Sequence, residues 1–376
     1  MRHARNLAVF GLAAALIVGG LGYAFREPIL GRLFGVSFDA GAGGQATLIV
    51  PAGYEAAVFA RGLDGPRFMA VSPDGVLLVA ERGADRIIAL PDRDGDGRSD
   101  EVVQVGAGYD RAHDIEFTDD GALLVAGDTA LYEVTLDGLN EAERRTVIDR
   151  LPSGGHSTKT VEVAPEGILL SIGSSCDVCL EEDERRAAVS LVDRASGTSR
   201  IVMRGLRNAV GVWVDDSTGR AWVTAMGRDR LGDDLPPETV YEVLDGADAG
   251  WPRCHAGTIA DPEFGTDADA CDDVAPPAAT FPAHMAPLAL LEWDGSLVVA
   301  FHGSWNSSVK VGYALWRLPW AGEPAGEPEP FATGFLPTHD GDAIGRPAGL
   351  AVGADGALYV SDDKAGYIYR IAADGS

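Results

Sequence analysis

Six times along the chain, an apolar run breaks at a polar turn and resumes as a second run of alternating apolar and polar positions. The instances are MAVSPDGVLLVAE (69–81), IEFTDDGALLVAG (115–127), VEVAPEGILLSIG (161–173), VWVDDSTGRAWVTA (212–225), LLEWDGSLVVAF (290–301) and LAVGADGALYVSD (350–362). Their turn glycines are Gly75, Gly121, Gly167, Gly219, Gly295 and Gly356, spaced 46, 46, 52, 76 and 61 residues apart. Alternation around a tight turn predicts a β-hairpin. A repeat of about 40–50 residues with several short strands predicts a propeller blade. The expected fold is therefore all-β, a six-bladed β-propeller over residues 46–376. The last repeat ends one strand short, at YIYRI (367–371), and YEAAVFAR (54–61) precedes the first. The early segment is expected to serve as the outer strand of the last blade, so that no open edge remains. No helical periodicity appears after residue 46. The two long gaps leave room for loops, Pro/Asp-rich 254–283 and Glu/Pro-rich 321–330, where function tends to sit on such a scaffold.

Residues 7–25 form an uncharged apolar run that follows Arg2, His3 and Arg5 and ends at Arg26. Segment 1–25 reads as an N-terminal hydrophobic helix, either a signal-anchor or a signal peptide. The anchor is favoured, because 19 residues approach the roughly 20 that span a bilayer and no clean Ala-x-Ala lies directly after the run. Residues 26–45 would be a stalk. Basic residues ahead of the run place the remainder outside the cytoplasm. The expected location is the periplasm, tethered to the inner membrane, or secretion if the segment is cleaved.

Composition is that of a globular protein, 46% hydrophobic and 23% charged over 376 residues. The 57 acidic residues against 30 Lys and Arg give a net charge of −27, which repels phosphate backbones and excludes nucleic acid as a partner. Four cysteines fit an oxidising compartment. Cys176 and Cys179 form a CxxC, open to reading as a redox pair, half a zinc site or a small disulfide loop, and Cys254 and Cys271 lie 17 apart. Two structural disulfides are favoured in an exported chain. In PDRDGDGRSDE (91–101), Asp92, Asp94, Asp96 and Asp100 take positions 1, 3, 5 and 9 of a calcium loop, with Gly97 at 6. The twelfth position is Val103 rather than Glu, so this is either a structural calcium site or a solvated acidic turn.

Candidate chemistry lies just ahead of the repeats. SGGHSTKT (153–160) carries His156, a residue type suited to general-base work. GLRNAVGVWV (205–214) carries Arg207 and Asn208 in the corresponding place of the next blade, and GRPAGLAV (345–352) carries Arg346. Arginine offers a planar fork of donors for carboxylates or a quinone oxygen. Equivalent blade positions should converge on one axial funnel.

With HSTKT, IGSSCDVC, GLRN, DDLPPE, GWP (250–252), HMAPL (284–288), FHGSWN (301–306) and GRPAGL, the chain from about 46 to 376 resembles the pyrroloquinoline-quinone-dependent glucose/sorbosone dehydrogenases, the sorbosone and pyranose branch above all. The resemblance implies a six-bladed propeller that oxidises a sugar hemiacetal, aldehyde or alcohol by hydride transfer to a tricarboxylate quinone over the axis. Electrons would pass to an unidentified acceptor. It implies His156 as the base, Arg207 and Asn208 at the quinone, and Arg346 as a further contact. It also implies a calcium ion held by the carbonyls of Gly227 and Arg228, with Glu238 lining that site. The family's soluble glucose enzymes carry a lysine in the fifth blade; here VVAFHGSWN has none, which turns attention to His302, Trp305 and Asn306. His113 and Asp114 are expected near the funnel, joined by a structural hydrogen bond. The alternatives are a lactonase-like metal hydrolase and a non-catalytic ligand-binding propeller.

Overall fold

The computed structural model describes residues 47–373; the expected anchor and the whole expected stalk lie outside them. Six sheets, antiparallel except for the short parallel pairing of Ala247–Asp248 at the outer edge of the third, surround one axis. The first holds Pro66–Val71, Leu77–Glu81, Arg86–Leu90 and Val103–Ala107, in that order from the axis outward. The third begins at Lys159–Ala164 and the fourth at Val212–Asp215; the fifth and sixth begin at Pro287–Trp293 and Pro347–Val352. The six innermost strands pack in ring order, the sixth against the first. Tyr54–Arg61 pairs antiparallel with Tyr367–Ala373, from Tyr54 opposite Ala373 to Arg61 opposite Tyr367, and closes the last blade as expected.

Period-2 geometry explains why the second strand of each blade reads as a continuous apolar run. In Leu77–Glu81, Leu78 and Ala80 pack with Ile115 and Leu123 of the second blade. Leu77 and Val79 pack with Tyr359 and Ile368 of the sixth. A strand between two neighbouring blades is buried on both faces, so alternation disappears. The hairpin glycines have positive φ, for example +83° at Gly75 and +71° at Gly295, a region that costs other residues strain. Both disulfides are formed, Cys176–Cys179 and Cys254–Cys271. The second ties down the 254–283 insertion, which adds the short ribbon of Cys254–His255 and Ile259–Ala260 and ends in Ala279–Phe281, the outer strand of the fourth blade.

Candidate active site where the inner strands begin

All six inner strands start at the same end of the axis, so the loops ahead of them meet there. His156 lies on the loop leading into Lys159–Ala164. Its amide donates to the Ser174 carbonyl (2.9 Å), and its Nδ1 lies 2.9 Å from Ser174 Oγ. Ser174 Oγ in turn donates its one proton to the Cys176 carbonyl, 2.5 Å away. The hydroxyl must therefore accept from His156, which places the imidazole proton on Nδ1 and leaves a lone pair on Nε2. Burial, and then the Arg207 charge, lower the imidazole pKa to about 4, so the ring is neutral at ordinary pH. Lys159, fully buried, braces the same loop through Nζ bonds to the carbonyls of Pro152 (2.6 Å) and Ser157 (2.7 Å); burial lowers its pKa to about 8.

Gly173 brings His156 and Asn208 together. A Cβ there would sit 2.4 Å from Asn208 Oδ1 and 2.6 Å from His156 Cβ, so only glycine fits between them. Asn208 donates from Nδ2 to Met226 Sδ (3.2 Å), while its buried Oδ1 has no partner among the described residues. Arg207 is held by two carboxylates and a carbonyl. Nε donates to the Asp177 carbonyl (3.0 Å), and Nη2 to Asp177 Oδ1 and Asp229 Oδ2 (3.0 Å each). Among the described residues nothing accepts from Nη1. Burial raises the Asp229 carboxyl, with Arg207 opposing it.

Gly227 and Arg228 follow directly. The Arg228 side chain turns away to an ion pair with Asp261, which also meets His255 Nε2 at 2.9 Å. No donor among the described residues bonds the carbonyls of Gly227 and Arg228. Glu238 sits beside them as expected, its two oxygens accepting from the amides of Gly227 (2.8 Å) and Ala286 (3.0 Å). Burial raises its carboxyl to about 7 against those two bonds.

A second cluster collects on Asp363. Both its oxygens lie within 3.0 Å of His302 Nε2, Arg67 forms an ion pair with it, and Arg346 Nε lies 3.2 Å away without hydrogen-bond geometry. His302 and Arg346 are thus neighbours through a shared anion. Despite burial, the imidazole and the two guanidinium groups hold the Asp363 carboxyl well below the usual carboxylate range.

Three expectations need correction or do not join the site. His113 and Asp114 are not hydrogen-bonded to each other: His113 Nδ1 accepts from Arg67 Nε (3.3 Å), while Asp114 accepts from the amides of Val161 (2.7 Å) and Ile115 (2.8 Å). Successive strand residues point to opposite sides, which parts the two. Trp305 is 74% exposed, and among the described residues no hydrogen bond or ring contact joins its side chain to either cluster. In the acidic loop, Asp92, Asp94 and Asp96 come together but Asp100 does not; it accepts instead from the Arg93 amide (2.8 Å). Asp92 spends its oxygens on the amides of Gly95, Asp96 and Gly97.

Ser174, Asp177, Asp229, Asp363, Arg67 and Lys159 were not singled out in the sequence. Ser174 and Asp177 lie within IGSSCDVC, where the cysteines drew the attention. Lys159 lies within HSTKT, three residues after the histidine.

Six blades with a neutral imidazole, an amide and guanidinium groups gathered at one end define a propeller with an axial site for a polar, anionic ligand. The chain belongs to the TrAA12-like family, whose model matches residues 48–240 and 253–374. It is 26% identical over 391 residues to the pyrroloquinoline quinone-dependent pyranose dehydrogenase of Coprinopsis cinerea, covering 85% of this chain. The chain spans about half (54%) of that relative's length. The holo pyranose dehydrogenase quinone domain from the same fungus superposes with a TM-score of 0.79 at 23% identity, over 87% of this chain and 97% of that one. A calcium structure of carbohydrate-active enzyme family AA12 from Trichoderma reesei gives 0.77 at 21%, over 88% and 98%. At these identities the two structures establish the fold.

Proposed function

We propose that this protein is a pyrroloquinoline-quinone-dependent sugar dehydrogenase that uses calcium, with His156 as the general base. The observation that carries this reading is the neutral His156, its proton fixed on Nδ1 and Nε2 free, beside Asn208 and Arg207. The residues present fit such a cofactor. An anionic quinone needs cationic donors, and Arg207 Nη1 and Arg346 Nε have no hydrogen-bond partner among the described residues. Arg207, Asn208 and Arg346 would hold it, with His302 behind Arg346. The carbonyls of Gly227 and Arg228, oxygen donors of the kind calcium prefers, would hold the metal. When bound, the quinone supplies a hydride acceptor.

His156 Nε2 takes the proton of the sugar hydroxyl. The imidazolium so formed keeps its Nδ1 proton on Ser174, whose own proton stays on the Cys176 carbonyl, so the ring cannot turn. Arg207 and burial make that imidazolium a strong acid, which returns its proton to water once the product has left. The relatives' printed names, pyranose and aldose sugar dehydrogenases, support a sugar substrate. The basic start of the apolar run and the two formed disulfides support a chain exported and tethered outside the cytoplasm.

The test loads the full chain with calcium and the quinone, removes free cofactor and follows the quinone absorbance on adding a mixed sugar pool. The natural protein should retain the quinone and reduce it. His156→Ala should retain it and turn over 10²–10⁴-fold more slowly, about the range of a lost general base. Failure to retain the quinone would end the reading, and unchanged turnover in His156→Ala would end the assignment of the base. The kcat/KM profile should show its acid limb near pH 4, where the imidazole of the free protein titrates.

A further inference from the structure

The loop from Gly173 to Ala187 contains a ring of four residues, Cys176-Asp177-Val178-Cys179, closed by a disulfide. A bridge over three residues of separation restrains the unfolded chain less than one over 17, so global stability is a poor explanation for it. Its neighbours suggest a local one. Three groups of this ring take part in the site. The Cys176 carbonyl accepts from Ser174 Oγ (2.5 Å), which sets the His156 tautomer. The Asp177 carbonyl accepts from Arg207 Nε (3.0 Å) and Trp251 Nε1 (3.2 Å). Asp177 Oδ1 accepts from Arg207 Nη2 (3.0 Å) and from the Asp229 amide (2.8 Å). A free four-residue loop would have to be ordered to present two carbonyls and a carboxylate in fixed directions, and ring closure removes much of that freedom beforehand. Both ring cysteines are half-buried, within reach of a small reductant.

We infer that Asp177, held in the ring closed by the Cys176–Cys179 disulfide, is a positioning residue of the site. The ring fixes both the proton of His156 and the fork of Arg207, and the site is competent only while it is closed. That Arg207 serves a quinone rests on the function proposed above; that the ring fixes Arg207 and His156 does not. Opening follows ordinary exchange: a dithiol gives two electrons, closes to its own disulfide, and its two protons end on Cys176 Sγ and Cys179 Sγ.

The experiment uses the full chain without cofactor, and then loaded. In the cofactor-free protein, ¹⁵N NMR should show the His156 proton on Nδ1 and a slowly exchanging Arg207 Nε–H. In Cys176→Ala/Cys179→Ala the histidine should become a mixture of tautomers and the Arg207 Nε–H should exchange at least tenfold faster. Asp177→Ala, which removes one acceptor of Arg207 Nη2 and leaves the carbonyl that holds Nε, should speed exchange at Nη2 without altering the His156 tautomer, and Asp177→Asn, which keeps an acceptor oxygen, should restore the protection there. In the loaded protein, a dithiol should lower kcat more than tenfold, reversibly on reoxidation, and should do nothing further to the double variant. Unchanged tautomer and unchanged Arg207 exchange in a folded double variant would overturn the inference, whatever the turnover. So would equal losses on reduction of the natural protein and the double variant, which would assign the sensitivity to Cys254–Cys271. If the NMR changes appear but no quinone is retained, the proposed function fails and the positioning role of the ring stands.

Discussion

The two ends of the propeller axis are built from the same six strands, yet they carry opposite chemistry. Where the strands begin, Arg67, Arg207 and Arg346 stand beside His113, His156 and His302; Asp177 and Asp229 both hold Arg207, and Asp363 is shared by Arg67, His302 and Arg346. Where the strands end, a cavity of about 1020 Å³ is lined by Asp114, Glu116, Asp119, Glu162, Asp215, Asp216 and Glu292, with no Lys, Arg or His on its wall. This hollow is not the proposed site. For the anionic cofactor proposed above, the end that carries the arginines and histidines is the fitting one. The difference also appears in protonation. Burial and the Arg207 charge keep His156 unprotonated down to about pH 4, whereas burial and then Asp216 hold the Glu116 proton up to about pH 8.

The comparison breaks most visibly at Arg346. Arg346→Ala should weaken quinone retention about tenfold or more, the worth of a hydrogen bond to a charged group, read by equilibrium dialysis of the quinone. Glu162→Gln at the far end should leave retention unchanged. Equal losses in both would mean that the ends are not functionally distinct.

A smaller effect separates the ends by pH. Between about 4.5 and 8 the folded chain holds a proton on Glu116 that the unfolded chain has lost, so this group makes stability fall as pH rises. His156 acts in the other direction. Between about 6.5 and 4 the unfolded chain gains a proton that the folded one refuses, so stability falls as pH drops through that window. Glu116→Gln should therefore narrow the loss in Tm between pH 5 and pH 8, read by thermal unfolding at the two pH values. An unaltered slope would show that the far cavity does not hold this proton.

The smallest effect concerns calcium. If the metal belongs at Gly227 and Arg228, chelation should release the quinone, and Asp94→Asn in the distant acidic loop should leave the chelator concentration for half-release unchanged. A shift of that concentration would move the functional metal to the loop at Asp92.

Much of the fold was legible in the sequence because its signals are local. Each hairpin announces itself by alternation around a glycine with positive φ, and the spacing of those glycines counts the blades. The closing strand could be placed because the last repeat was one strand short. His156, Arg207, Asn208 and Arg346 could be picked out by their equivalent positions ahead of the repeats. Legibility stopped at partners distant in sequence. Asp363 comes 61 residues after His302 and 296 after Arg67, and Asp229 comes 52 after Asp177; no local period links such pairs. His113 and Asp114 were expected to bond because they are adjacent, and strand geometry sends them to different neighbours.

By itself, then, the sequence determined the number of blades, the hairpin turns, the way the ring closes and the loops that carry chemistry, because these follow from short-range periodicity and turn stereochemistry. Only the tertiary structure decided the His156 tautomer, the carboxylates that gather around Arg207 and Arg346, and the acidic lining of the opposite end. Each of these depends on which side chains the closed ring brings within hydrogen-bond reach, and on how much water that closure removes.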